Sequence, residues 1–146
     1  MTSSGFPVPL PDADTRAFWE GSARGELLVP RCGACGHWIW QPKPVCPRCR
    51  VPEPVWTPVD GAARIVSWTV IHPPVLPAYE ALVPFAVVLV ELDAAPGVRM
   101  VGPLVDPAGA IVTVEGAPEG VATGAAVALV WRDQEGWVIP AWSATT

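Results

Sequence analysis

Lysine is almost missing from this chain of 146 residues: Lys43 stands alone beside eight arginines. Tyrosine occurs once, at Tyr79, and histidine twice, at His37 and His72. Charged residues make up only 16% and the net charge is −5, so a broad basic surface for gripping a phosphate backbone is excluded. No window reaches the roughly 18 apolar residues that a membrane-spanning helix requires, and the start, MTSSGFPVPLPDAD, lacks a basic stretch followed by an apolar run. These absences read as a soluble, cytoplasmic protein that does not engage membrane. GxSxG, HExxH and GxxxxGK motifs are missing too, as is any paired-carboxylate arrangement, so the sequence offers no catalytic residue.

What remains is apolar and irregular. Hydrophobic residues supply 51% of the chain, which excludes intrinsic disorder, while nineteen prolines and thirteen glycines leave little room for long helices. The composition predicts a mostly β protein of short strands and turns. A single domain of this length has a radius of gyration of roughly 15 Å, too small for a deep private cleft, so a large ligand would be shared with a partner.

Along the chain, residues 1–11 hold three prolines among small residues and are expected to form an irregular arm without a packed position. Asp14 to Arg24, DTRAFWEGSAR, predicts a short amphipathic helix with Asp14 as N-cap, Phe18 and Trp19 on its apolar face and a stop at Gly25. Composition then changes: residues 27–52 hold all four cysteines, four basic residues and no acid. Five strands are expected after it, at 64–72, 85–92, 98–105, 126–131 and 137–142, enough for a small barrel. The first, RIVSWTVIH, has no cleanly polar face, which closure or a partner surface would explain. Residues 106–125 read as a variable loop with a possible extra strand at 111–114. The resulting division is 1–26 arm and helix, 27–53 cysteine lobe, and 54–146 barrel.

The cysteines fall as Cys32-x-x-Cys35 and, ten residues on, Cys46-x-x-Cys49. Two residues between thiols let a tight turn aim both sulfurs at one point, and Gly33, Gly36 and Pro47 suit the sharp backbone. Four thiolates complete a tetrahedral Zn2+ site with no open position, so the zinc is expected to be structural. A disulfide pair, a redox CxxC and an iron centre are the competing readings, and His37 is expected at the surface.

Arg31, Lys43, Arg48 and Arg50 make this lobe basic, whereas the remainder sets five arginines against fourteen acids. The basic knuckle suits a phosphate group, or its arginines shield the anionic metal centre. Eight tryptophans are many for this length; Trp38 and Trp40 project the same way from an extended knuckle loop, either as interface residues or as cover for the metal site. Trp68, Trp131 and Trp137 are expected in the barrel core. Tyr79 lies in HPPVLPAYEALVP, a proline-stiffened strand connection.

The segments FWEGSARGEL (18–27), RCGACGHWIWQPKPVCPRC (31–49), GAARIVSWTVIH (61–72) and PFAVVLVELD (84–93) together resemble the domain of unknown function 35 family. The resemblance spans roughly residues 14–142 and implies an N-terminal helix, a rubredoxin-like zinc ribbon and a five-stranded OB-fold barrel. Members of that family accompany thiolase-like enzymes, lipid-transfer-type aldolases and acyltransferases that act on CoA thioesters. The resemblance thus implies a noncatalytic partner of a thiolase-like or aldolase subunit, in steroid side-chain or polyketide metabolism, with acyl-CoA at the shared interface. It makes Trp38, Trp40, Lys43, Arg48, Arg50, His72 and Tyr79 the candidate contacts to CoA or partner. One departure is the length of 106–127, where VATGAAV (121–127) stands for a usually short connection. A single-stranded nucleic-acid-binding OB-fold is the alternative, opposed by the acidic body; an independent metalloenzyme would need an open zinc position.

Overall fold

In the computed structural model, which describes residues 5–145, one helix precedes seven strands. Helix α1 spans Arg16–Ala23, shorter than expected at both ends. Its N-cap is Thr15 rather than Asp14. The turn before it is built by Asp12, whose Oδ1 accepts from the Thr15 N–H at 2.9 Å, the Asp14 N–H at 3.1 Å and the Thr15 hydroxyl at 2.8 Å. The hydroxyl and then the N–H of Thr15 hold the Asp12 carboxyl below its ordinary value. Gly25, at φ +76°, ends the helix as its sequence position implied.

Strands β1 (Leu27–Arg31) and β2 (Val55–Val59), neither anticipated, pair antiparallel and bracket the cysteine segment, with Arg31 opposite Val55. Both carry an internal proline, which masked them, and a two-stranded ribbon tolerates proline on its unpaired side. The barrel follows as β3 (Ala62–Ile71), β4 (Phe85–Leu92), β5 (Arg99–Pro103), β6 (Ala126–Gln134) and β7 (Trp137–Ala144), in the order β5-β4-β3-β6-β7 with every ladder antiparallel. A bulge between Ile65 and Ser67 bends β3 just where its pairing with β6, over 62–64, ends. The sheet folds back on itself through a parallel bridge of Leu104 to Trp142, with the Val105 N–H donating to the Trp142 carbonyl at 2.9 Å. This five-stranded closure is that of an OB-fold.

β5 is shorter than expected and β6 and β7 longer. Residues 111–114 add only isolated bridges, Ile111 to Val105 and Thr113 to Phe85. The 106–125 loop is not peripheral throughout, because Val114 and Val121 sink into the core. That core holds Ile65, Val88, Val90, Leu92, Met100, Val127 and Trp142, and it extends without a break to Phe18 of α1 and Leu27 and Val29 of β1. Trp142 is the fully buried tryptophan of the barrel; Trp68 and Trp131 are half-buried and pack against its core, as expected, whereas Trp137 departs from that expectation. Trp137 instead meets Trp19 of α1 edge-on, at 6.1 Å between centroids. The indole N–H of Trp142 has no hydrogen-bond partner among the described residues.

The arm also departs from expectation. From residue 5 onward it lies on the barrel: Phe6 meets Tyr79 edge-on at 5.0 Å, and the Pro7 carbonyl accepts from Gln134 Nε2 at 2.6 Å. A lone aromatic among prolines gave no periodic signal from which this could be read.

Gly102 lies at the closing seam between β5 and β7. A Cβ there would lie 3.0 Å from the Pro140 carbonyl oxygen and 3.1 Å from Trp142 Cδ1, neither of which moves freely. Gly102→Ala is expected to destabilise the protein by about 1–3 kcal/mol through overpacking, read as a lower urea midpoint, whereas an unchanged midpoint would show that the seam is loose.

Candidate functional site

Two knuckles face each other between β1 and β2. In the first, the Cys32 N–H donates to the His37 carbonyl at 2.9 Å and the Gly36 N–H to the Cys32 carbonyl at 3.0 Å. The second repeats this pattern: the Cys46 N–H donates to the Val51 carbonyl and the Arg50 N–H to the Cys46 carbonyl, both at 2.9 Å. The left-handed position is Gly36 (φ +74°) in one knuckle and Arg50 (φ +65°) in the other. Gly33 and Pro47 do not take that role, and a non-glycine residue there was invisible to a glycine-based reading.

The geometry gathers the four thiols. All four sulfurs lie within 4.8 Å of one another, with Cys32 Sγ 3.4 Å from Cys49 Sγ and Cys35 Sγ 3.7 Å from Cys46 Sγ, and no disulfide forms. A tetrahedral zinc with bonds of about 2.3 Å demands sulfur separations of about 3.8 Å, so the set fits the ion. The site is a closed four-thiolate structural zinc centre. Cys32 and Cys46 are buried and Cys35 and Cys49 exposed, so one ligand of each knuckle faces inward.

Thiol acidity is already prepared. The Cys35 and Ala34 N–H groups point at Cys32 and bring it down to about 6. Burial pushes Cys46 up, but the Cys49 and Arg48 N–H groups outweigh it and the thiol ends below its ordinary value. At Cys49 the Val51 N–H pulls downward, yet neighbouring Cys32 and burial prevail and raise it to about 11. Cys49 in the metal-free protein therefore keeps its proton at neutral pH, and zinc must displace it.

The other candidates divide between two places. Ile39 packs with Cys32 and Cys46 as the ribbon's private core, while flanking Trp38 and Trp40 turn to the opposite side and pack on the main core. Trp38 carries the Arg31 guanidinium over its ring at 4.6 Å, and Arg31 Nε donates to the Gly36 carbonyl at 3.0 Å. Trp40 meets Phe18 at 5.4 Å. Lys43, Arg48 and Arg50 are exposed around the metal site and make no ion pair among the described residues. His37 is half-buried and His72 exposed just past β3. Tyr79 ends a one-turn helix, Pro77–Tyr79, stacked on Phe85 at 5.9 Å and remote in sequence from the knuckles. Arg132 and Gln134, which sequence reasoning did not single out, line a groove of about 430 Å³ with Tyr79, Leu76 and Val101. Among the described residues no helix is long and apolar enough to cross a membrane.

Residues 19–55 match the family model described as the ChsH2 rubredoxin-like zinc ribbon domain, and residues 56–132 match that of the ChsH2 C-terminal OB-fold domain. The chain belongs to the ChsH2 family. A curated relative, the probable enoyl-CoA hydratase alpha subunit of Thermomonospora curvata, is 31% identical over 131 residues, covering 88% of this chain. The chain spans about 36% of that relative's length. Among solved structures, the Ltp2-ChsH2(DUF35) aldolase superposes with a TM-score of 0.78 at 27% identity, over 95% of this chain and 100% of that one. A protein of unknown function from Sulfolobus solfataricus, of the DUF35 family, shares the fold at a TM-score of 0.60 and 16% identity, over 91% of this chain and 86% of that one.

Zinc analysis is expected to give one equivalent per chain. Cys46→Ser is expected to lower it to well below half an equivalent and to loosen the ribbon; retention of a full equivalent would remove Cys46 from the ligand set. Because each ligand binds as thiolate, zinc affinity should fall as pH falls, and loading at pH 7.5 should release at least the Cys49 proton, measurable in weak buffer.

Proposed function

We propose that this chain is a noncatalytic accessory subunit that binds a thiolase-fold enzyme, foremost an aldolase, and helps hold its acyl-CoA substrate. The observation that carries the reading is the superposition of 95% of this chain on the whole of a chain from an aldolase named Ltp2-ChsH2(DUF35). Similarity to a relative named as an enoyl-CoA hydratase subunit supports acyl-CoA as the substrate class and leaves steroid side-chain or polyketide metabolism as the setting proposed.

The chemistry agrees with that division of labour. Among the described residues the cluster of potential ligands is the four cysteines, a closed set that leaves zinc no position for substrate. Exposed Lys43, Arg48 and Arg50, without a carboxylate partner among the described residues, outweigh the negative charge of a four-thiolate zinc and offer positive charge of the kind that suits CoA phosphates. On this reading Trp38 and Trp40 serve the interface indirectly, by fixing the knuckle loop to the barrel. His72 and Tyr79 would contribute from the 72–84 segment.

Affinity purification of the tagged chain from its own cells, after a moderate-salt wash, is expected to recover a thiolase-fold or aldolase subunit in near-stoichiometric yield. The isolated chain is expected to show no thiolase, aldolase or thioesterase turnover. Recovery of single-stranded nucleic acid instead, or robust turnover by the chain alone, would overturn the assignment.

A further inference from the structure

Residues paired across antiparallel strands project to the same side, so the ladders define the barrel's outer face. Ser67 lies opposite Leu89 and Leu89 opposite Val101; Thr69 lies opposite Val87 and Val87 opposite Pro103; Ile71 lies opposite Phe85. The inner face holds Ala86, Val88, Val90 and Leu92, all buried. Over residues 85–90 strand β4 is therefore apolar on both sides, with Glu91 the polar exception beyond them, whereas an antiparallel strand with one solvated face alternates apolar and polar residues. Phe85 is covered by Tyr79, but Val87 and Leu89 are only partly buried, and Val101 is 63% exposed.

Over this face lies the groove of about 430 Å³, walled by Leu76, itself 54% exposed, and by Ile139 and Arg132 of the β6–β7 hairpin. A second groove, of about 180 Å³, shares Val87 and Val101 with it and continues past Leu89. Arg132 is half-buried. Its Nη1 donates to Gln134 Oε1 at 2.7 Å, and it has no carboxylate partner among the described residues. The occupant therefore has an apolar body and an anionic group.

We propose that this outer face of β3, β4 and β5 is where the enzyme subunit docks, seating an apolar side chain in the groove and a carboxylate on Arg132; the inference rests on the accessory reading above. A small ligand would leave the exposed rim at Leu76 and Val101 wet, while the apolar surface runs on beyond the groove, as a protein interface does. A second copy pairing this face with itself would bring an unpartnered Arg132 from each side, while Glu91, the carboxylate on the outer side of β4, is already held by Arg99 at 3.1 Å.

The test is tagged purification of the full zinc-loaded chain as wild type, Val101→Asp, Arg132→Glu and Val55→Asp, the last an exposed valine on β2 outside the face. Zinc content and circular dichroism confirm folding, and Leu76→Asp replaces any variant that fails that check. At least a ten-fold loss of the thiolase-fold or aldolase subunit is expected with Val101→Asp and Arg132→Glu, and none with Val55→Asp. Recovery equal to wild type with both face variants would overturn the docking surface and leave the accessory role standing. Wild type that brings down no such subunit would overturn both. A wild-type homodimer that Val101→Asp dissolves without loss of the enzyme subunit would give the face to a second copy and overturn the proposal.

Discussion

The cysteine lobe has almost no core of its own, and the rest of the structure depends on how that shortage is met. Its private cluster is Ile39 with the two buried cysteines. Burying so few side chains cannot by itself offset the backbone entropy lost in ordering the knuckles, and in a small lobe of this kind metal binding is itself folding free energy. The metal is thus the term that decides whether the knuckles exist. It sets them at the mouth of the β1–β2 ribbon, and the extended loop between the cysteine pairs then presents Ile39 to the metal side and Trp38 and Trp40 to the barrel.

That alternation binds two lobes that composition alone would separate. Phe18, Leu27 and Val29 belong to the same buried cluster as the barrel strands, so helix, ribbon and barrel share one core. Charge remains divided between exposed Lys43, Arg48 and Arg50 near the zinc and a body whose acids outnumber its arginines. The chain presents a basic end and, on the barrel, an outer face where Val101 and Leu76 stand exposed. Both features fit the accessory role proposed above.

Much of this was legible in the sequence. The CxxC pairs specified the metal centre because their spacing dictates where sulfurs converge, and FAVVLVEL gave β4 to the residue because its β-branched run has sharp boundaries. Proline hid β1 and β2, whose pairing is non-local. Which tryptophan is buried depends on closure, where Trp142 meets Leu104, a contact 38 positions apart that no local pattern reports. Arg132 and Gln134 escaped notice for the same reason: a single arginine becomes distinctive only when the fold brings Leu76 and Val101 beside it. The packed arm at Phe6 and Pro7 likewise rests on partners more than seventy positions away.

Hydrogen exchange of the zinc-loaded and the chelated chain tests most directly whether the metal organises this protein. With zinc removed, the account predicts that amides between Arg31 and Arg50 lose protection, that β1, β2 and the Trp40-facing side of α1 weaken next, and that β3 and β4 retain theirs. Unchanged protection across Arg31 to Arg50 after verified loss of the metal would contradict it.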